Sequence, residues 1–334
     1  MNERVLVEAI FPINDNFHLS KSYDIQTETA LAEFREIIET EEFDITSSVL
    51  KQKVNFQNGI QINKKNIPFL IHKHQVYFSK TCFTLFFEFE PQKKGETSLT
   101  KDSNELNSLF SDKFIVAESF AEIIYELILI INIARPGSIT LFEGIVLVDG
   151  VEKCTTPGFS IILNEAYDSS IEKKYPTFNF HKTSLIRNWM NENDVSIFNK
   201  PKNKLSTAIN CLSYVYNYEL LNSEKLTYSL IGLEALYTKG NANITEQLNE
   251  KIQVYLGEIQ DFKKMLKDMY SVRSRFLHGV YPIRPLFLYD NTDENEYENE
   301  IYNALIVGSG ILACTIQQMI IENRIELEFS FRLN

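Results

Sequence analysis

Residues 262–279 read FKKMLKDMYSVRSRFLHG. Phe262, Met265, Leu266, Met269, Val272 and Phe276 recur at spacings of three and four, so one stripe is apolar and the remainder charged or hydroxylated. That period predicts an amphipathic helix. Gly279 and then Pro282 predict its stop, because glycine accepts a left-handed cap and proline cannot continue the hydrogen-bond ladder. At about 100° per residue, Lys264, Lys267, Ser271, Ser274, Arg275 and His278 fall along one polar side.

The same period runs outward on both sides. Leu205, Ile209, Leu212 and Tyr216 form one stripe, and Leu226, Leu230, Leu233 and Tyr237 a second. Ile244, Leu248, Ile252 and Tyr255 form a third, opened by Asn243 with Glu246 three residues on, the pattern of a capping box. Tyr302, Leu305, Leu312, Ile316 and Met319 mark a last helix. Short connections between such helices predict an antiparallel bundle over 204–323. The tail 324–334 contains IELEFSF at 325–331, whose alternation predicts a strand.

Residues 1–200 have another texture and predict a mixed β/α domain, giving an α+β chain. QVYFSKTCFTLFFEF at 75–89 is aromatic and β-branched and reads as a strand. Residues 138–148 and 159–163 read as further strands, with Pro136-Gly137, Asp149-Gly150 and Pro157-Gly158 as turns. Between them, 119–134 is a helix apolar nearly all round, predicted to be buried. The polar stretch 91–112 reads as a long loop. The change of texture near Pro201 sets the expected boundary.

Hydrophobic content is 44% and charged content 23%, which excludes wholesale disorder. The opening MNERVLVEAIF lacks the basic, apolar and small-residue succession of a secretory signal. The apolar stretches 120–134 and 303–321 carry acids or amides, so neither reads as a membrane span. Cys82, Cys154, Cys211 and Cys314 lie far apart with no C-x-x-C pair, which predicts reduced thiols and a cytoplasmic protein.

Formal charge is −12. Non-specific coating of nucleic acid is thereby excluded, since polyphosphate affinity comes from lysine and arginine displacing counterions. Any such function needs a local basic patch. Residues 251–275 supply one, with Lys251, Lys263, Lys264, Lys267, Arg273 and Arg275 against Glu258, Asp261 and Asp268. His278 falls in the last turn, where exposed carbonyls favour imidazolium by roughly 0.3–1 kcal/mol. That placement suits a helix cap or a proton donor near neutral pH. Glu234 lies against the apolar stripe of its helix and needs a cation, for which Arg273 is the expected partner. Such a pair either orients two helices or holds an arginine ready for phosphate.

LIGLEALY at 230–237, a following helix and MYSVRSRFLHG at 269–279 together resemble the Apea-like branch of the HEPN superfamily. Its shared motif, R-x4–6-H, reads here Arg273-Ser274-Arg275-Phe276-Leu277-His278. The resemblance covers about 204–323. It makes residues 1–200 the variable N-terminal region, with a recognition or regulatory role. It implies metal-independent RNA cleavage without a cofactor: the ribose 2′-OH attacks the adjacent phosphate, His278 handles the proton, Arg273 holds the phosphate, Ser274 orients the pair and Glu234 supports it. Arg275, Lys267 and Lys264 become RNA contacts. On an ideal helix Arg273 and His278 lie about 140° apart, and members of this superfamily bring two motifs together by dimerising. The resemblance further implies phage defence, abortive infection or a toxin role, with an antitoxin or regulatory partner. Some relatives carry a modifiable tyrosine two residues after the histidine, whereas here Tyr281 stands three residues on. Other HEPN domains are non-catalytic modules for dimerisation and for protein or RNA binding.

Remaining signals point nowhere else. His72 and His74 alternate in an expected strand without a third metal ligand. Gly308-Ser309-Gly310 lies inside an apolar helix and predicts close packing. No phosphate-binding glycine motif is present. The acidic run 290–300 reads as a loop leading to a helix N-terminus.

Overall fold

The structure is a computed structural model that describes residues 5–12, 21–40, 42–46, 51–55, 60–63, 67–71, 75–79, 82–89, 104–141, 143–156, 158–217, 219–240, 242–281 and 296–329. It divides into two compact units, one of residues 1–131 and 138–159, the other of residues 132–137 and 160–334.

In the first unit the elements are β1 (Val5–Pro12), α1 (Lys21–Thr40), β2 (Glu42–Thr46), β3 (Lys51–Asn55), β4 (Ile60–Asn63), β5 (Ile67–Ile71), β6 (Gln75–Ser79), β7 (Cys82–Phe89), α2 (Asn104–Ala134), β8 (Gly144–Val148) and β9 (Val151–Thr156). Five strands form a sheet in the order β4-β7-β1-β8-β9, with every neighbouring pair antiparallel. Two hairpins, β2-β3 and β5-β6, stand beside it as separate ladders. Val7 and Ala9 pair with Val148 and Val146, and all four are buried. Period-two alternation thus directs one face of β1 and β8 inward. On α1, Ala30, Phe34, Ile37 and Ile38 make the buried stripe.

Several expectations for this region need correction. The stretch 75–89 is two strands rather than one, β6 belonging to a hairpin and β7 to the main sheet. Of the expected strand 138–148, only 144–148 joins the sheet. Helix α2 begins at Asn104, so residues 104–112 of the expected loop at 91–112 are helical, and residues 91–103 lie outside the described set. The buried-helix expectation matches observation: Phe120, Ile124, Ile128 and Ile131 are wholly buried.

The second unit is helical: α3 (Ile162–Lys173), α4 (Thr183–Glu192), α5 (Lys204–Tyr216), α6 (Asn222–Tyr237), α7 (Ile244–Leu256), α8 (Phe262–Leu277) and α9 (Glu296–Ile321). Helix α9 packs against α3, α4, α5, α6 and α8, which explains its apolar sequence. Its stretch 297–321 is long and apolar enough to cross a membrane, yet 78% of the most apolar window is buried inside the protein. The expected stripes are the observed core: Leu205, Ile209, Leu212 and Tyr216 on α5, and Leu226, Leu230, Leu233 and Tyr237 on α6, are all buried. Gly308 permits the closest approach, since a Cβ there would stand 2.6 Å from Ser229 Oγ on α6 and 2.9 Å from Met269 Cε on α8.

The boundary expected near residue 200 lies inside this unit. Tyr302 on α9 donates to Glu165 on α3, and Trp189 Nε1 donates to Asn323 Oδ1 at 2.9 Å, tying α3 and α4 to the bundle. Residues 132–134, the last of α2, belong to this unit, and there Gln317 on α9 donates to Ile133 O at 2.8 Å and also to Asn179 O at 2.8 Å. The segment 198–203 is a helix entry, not a linker. Asn203 caps α5 by accepting from Ser206 N at 2.7 Å, while Ser206 Oγ accepts from Asn203 N at 3.0 Å.

Three smaller expectations also change. Residues 159–163 lead into α3 instead of forming a strand. Asn243 adopts a left-handed conformation (φ 53°) and its side chain caps nothing. Gln247 seals that entry, accepting from Lys239 N at 3.0 Å and donating to Ala242 O at 2.8 Å. The described tail residues 325–329 bend at 325–326 and form no strand, and 330–334 lie outside the described residues. Leu327 is buried and the Phe329 ring lies 6.0 Å from that of Tyr237, whereas Ile325 is exposed.

Candidate functional site

Helix α8 ends in a paired-bond cap. Gly279 N–H donates to Phe276 O at 3.1 Å and Val280 N–H to Arg275 O at 2.9 Å, with Gly279 at φ +68°. Nothing lies within 4 Å of an added Cβ at Gly279, so glycine serves the dihedral rather than the space. This geometry makes His278 the C-cap residue and leaves its side chain exposed. The imidazole makes no hydrogen bond or ion pair with the described residues.

Arg273, one and a half turns earlier, is half-buried between α8 and α6. Its Nη1 lies 3.6 Å from Glu234 Oε1, the partner that the acid's position on an apolar stripe required. Tyr270 donates its hydroxyl to the same oxygen at 2.8 Å. Burial, followed by this bond and the carboxylate's charge, pushes the Tyr270 phenol well up, so it stays a donor. Arg273 Nε is buried with no partner among the described residues.

Arg275 is occupied on another side. Its Nη2 pairs with Glu300 Oε2 on α9 at 2.8 Å, and its guanidinium carbon lies 4.8 Å from the centre of the Tyr281 ring. Tyr281 donates to that same Glu300 oxygen at 2.5 Å and stacks on Tyr297 at 5.2 Å. Burial, then the bond to Glu300, lifts the Tyr281 hydroxyl to about 12. Only 8% of Tyr281 is exposed, so this tyrosine is packed away rather than presented.

The remaining expected residues separate. Lys264, Lys267 and Ser274 are exposed on α8. Ser274 makes no side-chain bond to Arg273 or His278. Lys251, counted above in the basic stretch, does not belong to a surface patch: it is buried, donating to Tyr237 O and to Gln247 Oε1, each at 2.7 Å. Arg273 and His278 do not touch within the chain, as the helical angle between them demands. His72 and His74 lie outside the described residues. Among the described residues no group of three His, Cys, Asp or Glu is placed to hold a metal ion. Cys211 and Cys314 are buried free thiols. A cavity of about 300 Å³, lined by Thr177, Asn179, His181, Leu256 and Gln317 among others, sits toward the C-terminal end of α9, away from Glu300 and Arg275.

The arrangement therefore offers an exposed imidazole, one guanidinium braced by a carboxylate and a phenol, one guanidinium latched to α9, and two free lysines. Tyr270, Glu300 and Tyr281 were not legible as site residues. Tyr270 stands three residues before Arg273 and shares its side of the helix, a signal visible only once Glu234 is known to face it. No family model matches the chain, and no curated protein or solved structure matches it.

Proposed function

We propose that the helical unit is a HEPN-type, metal-independent endoribonuclease that works as a homodimer. The observation that carries this reading is the exposed His278 at the C-cap of α8, on the same helix as Arg273, which Glu234 and Tyr270 brace. His278 accepts the proton of a ribose 2′-OH as that oxygen attacks the adjacent phosphorus. Arg273 stabilises the charge that builds on the phosphoryl oxygens, and the 5′ oxygen of the next nucleotide departs with a proton. The products are a 2′,3′-cyclic phosphate and a 5′-hydroxyl. One chain supplies a single histidine here, so twin subunits facing each other supply the second proton-transfer group. Exposed Lys264 and Lys267 add attraction for the strand against a chain of charge −12. A toxin or phage-defence role in the cytoplasm, with a regulatory partner, follows from the resemblance. Purified protein is expected to cut total RNA in EDTA, and His278→Ala to abolish cutting without moving the thermal melt. Cutting that persists in His278→Ala rejects the mechanism.

A second reading is a non-catalytic HEPN module for dimerisation and for protein or RNA binding. One observation favours it: both motif-region arginines are paired internally, Arg273 with Glu234 and Arg275 with Glu300. It predicts that wild type and His278→Ala are equally harmless on over-expression. Growth arrest by wild type alone decides against it.

A further inference from the structure

The two arginine pairs differ in kind. Arg273 and Glu234 expose 26% and 23% of their side chains, and Tyr270 holds the acid from a second direction. Arg275 and Glu300 expose 37% and 41%, so water reaches both. An ion pair open to solvent is weak and exchangeable, whereas phosphate accepts arginine in a bidentate and charge-assisted manner. Tyr281 contributes twice. Its ring supports the guanidinium at 4.8 Å, and its hydroxyl occupies the same Glu300 oxygen that faces Arg275. Removing the carboxylate would leave Arg275 still resting on that ring, in place but uncompensated. Arg275 also stands three residues before His278, one turn from the proposed reacting group.

The geometry points to a latch: Glu300 holds Arg275 back from polyanions, and an RNA phosphate must displace this carboxylate to engage the α8 terminus. The inference rests on the RNA reading above and concerns the regulation of that site. It makes Glu300 a brake on RNA binding, set at the start of the helix that organises the whole bundle. Loss of a purely structural ion pair would lower stability and leave affinity unchanged, or lower it. Loss of a latch raises affinity, and only while Arg275 is present.

The test uses the full chain in EDTA and a fluorescent single-stranded oligonucleotide with 2′-O-methyl riboses, which binds without being cut. Failure of the nuclease reading thus shows in the cleavage assay and leaves this readout intact. Affinity is measured by anisotropy across a salt series for wild type, Glu300→Gln, Arg275→Gln and the double variant. Glu300→Gln is expected to bind several-fold tighter, with a salt slope steeper by about 0.7 for one added phosphate contact on a single strand. Arg275→Gln is expected to bind no tighter than wild type, and the double variant to match Arg275→Gln. Equal or weaker binding by Glu300→Gln, tighter binding that survives in the double variant, or no binding by either wild type or Glu300→Gln overturns the latch. Should Glu300→Gln not fold, the side-chain ¹⁵N–¹H resonance of Arg275 in wild type, followed through titration with the same oligonucleotide, gives the answer. A shift on binding supports displacement, and a resonance unmoved to saturation overturns it.

Discussion

Tyr270 on α8 donates its phenol to Glu234 Oε1 on α6 at 2.8 Å, and so fixes the acid beside which Arg273 rests. A single oxygen serving both a neutral donor and a guanidinium explains how an acid survives on an apolar stripe. Half-burial makes the arrangement matter more than a surface pair would, because an ion pair left without one partner carries an uncompensated charge.

Tyr270→Phe keeps the ring and deletes only that bond. The expected loss of stability is about 1.5 kcal/mol, the usual scale for a hydrogen bond to a charged group, read from denaturant unfolding. A cycle with Glu234→Gln is expected to show coupling of about 1 kcal/mol; additive losses would mean the two residues act independently. In the RNA cleavage assay Tyr270→Phe is expected to slow cutting about tenfold through a displaced Arg273, against complete loss in His278→Ala.

Lys225 gives a pH-dependent prediction. It lies near the start of α6, only 4% exposed, with no hydrogen bond or ion pair among the described residues to neutralise it. Burial lowers its ammonium to about 8, and neighbouring Glu224 opposes that shift only in part. The unfolded chain holds the proton to about 10.4. Between those values the unfolded state binds more protons, so this residue makes stability rise with pH from about 8 to about 10.4. Lys225→Met keeps the stem and removes the charge. It is expected to stabilise the protein by up to roughly 3 kcal/mol at pH 7, with the advantage shrinking toward pH 10. Unfolding curves at the two pH values test this, and an advantage that does not shrink contradicts it.

Lys251, on α7, is the opposite case. Its ammonium donates to Tyr237 O, the last carbonyl of α6, where the helix dipole favours a cation, and it lies 5.5 Å from the Phe329 ring centre. Lys251→Met strands that carbonyl and takes from Gln247 Oε1 one of its two donors, Lys239 N remaining. The expected outcome is destabilisation of about 2 kcal/mol, the cost of a buried acceptor left unmade, measured by thermal or denaturant melts. Two buried lysines thus respond to one substitution with opposite signs.

The bundle was legible because its stripes are long: four apolar residues on each of α5 and α6 leave no other period to choose. Helix α4 was not, since Thr183, Ile186, Trp189 and Met190 are the buried residues of a ten-residue helix that also holds an arginine, two asparagines and a glutamate. The tail alternates in sequence, yet its described residues form no strand and Ile325 is exposed while Leu327 is buried, because period two says nothing of pairing. At the site, Glu234 announced its need for Arg273 by standing on an apolar face. Glu300 announced nothing. It is one of six acids in a run, and no spacing distinguishes the one that meets Arg275 across 25 residues of chain.

Gly308 tests the packing that holds the site-bearing helix in place. Helix α9 meets α6 and α8 at this residue, and a methyl group would stand 2.6 Å from Ser229 Oγ and 2.9 Å from Met269 Cε, while Ser229 Cβ stays at 3.7 Å. Met269 ends in a flexible thioether and can yield. The obstacle is the Ser229 hydroxyl, which is fully buried and has no hydrogen-bond partner among the described residues. Gly308→Ala should gain about 1 kcal/mol from helix propensity, yet overpacking costs about 1–3 kcal/mol, so a net loss of about 1 kcal/mol is expected. Ser229→Ala removes the clashing atom together with an unsatisfied polar group. The double variant is therefore expected to be at least as stable as wild type, which neither contact alone would give. A double variant as weak as Gly308→Ala would place the conflict in the backbone and not at Ser229.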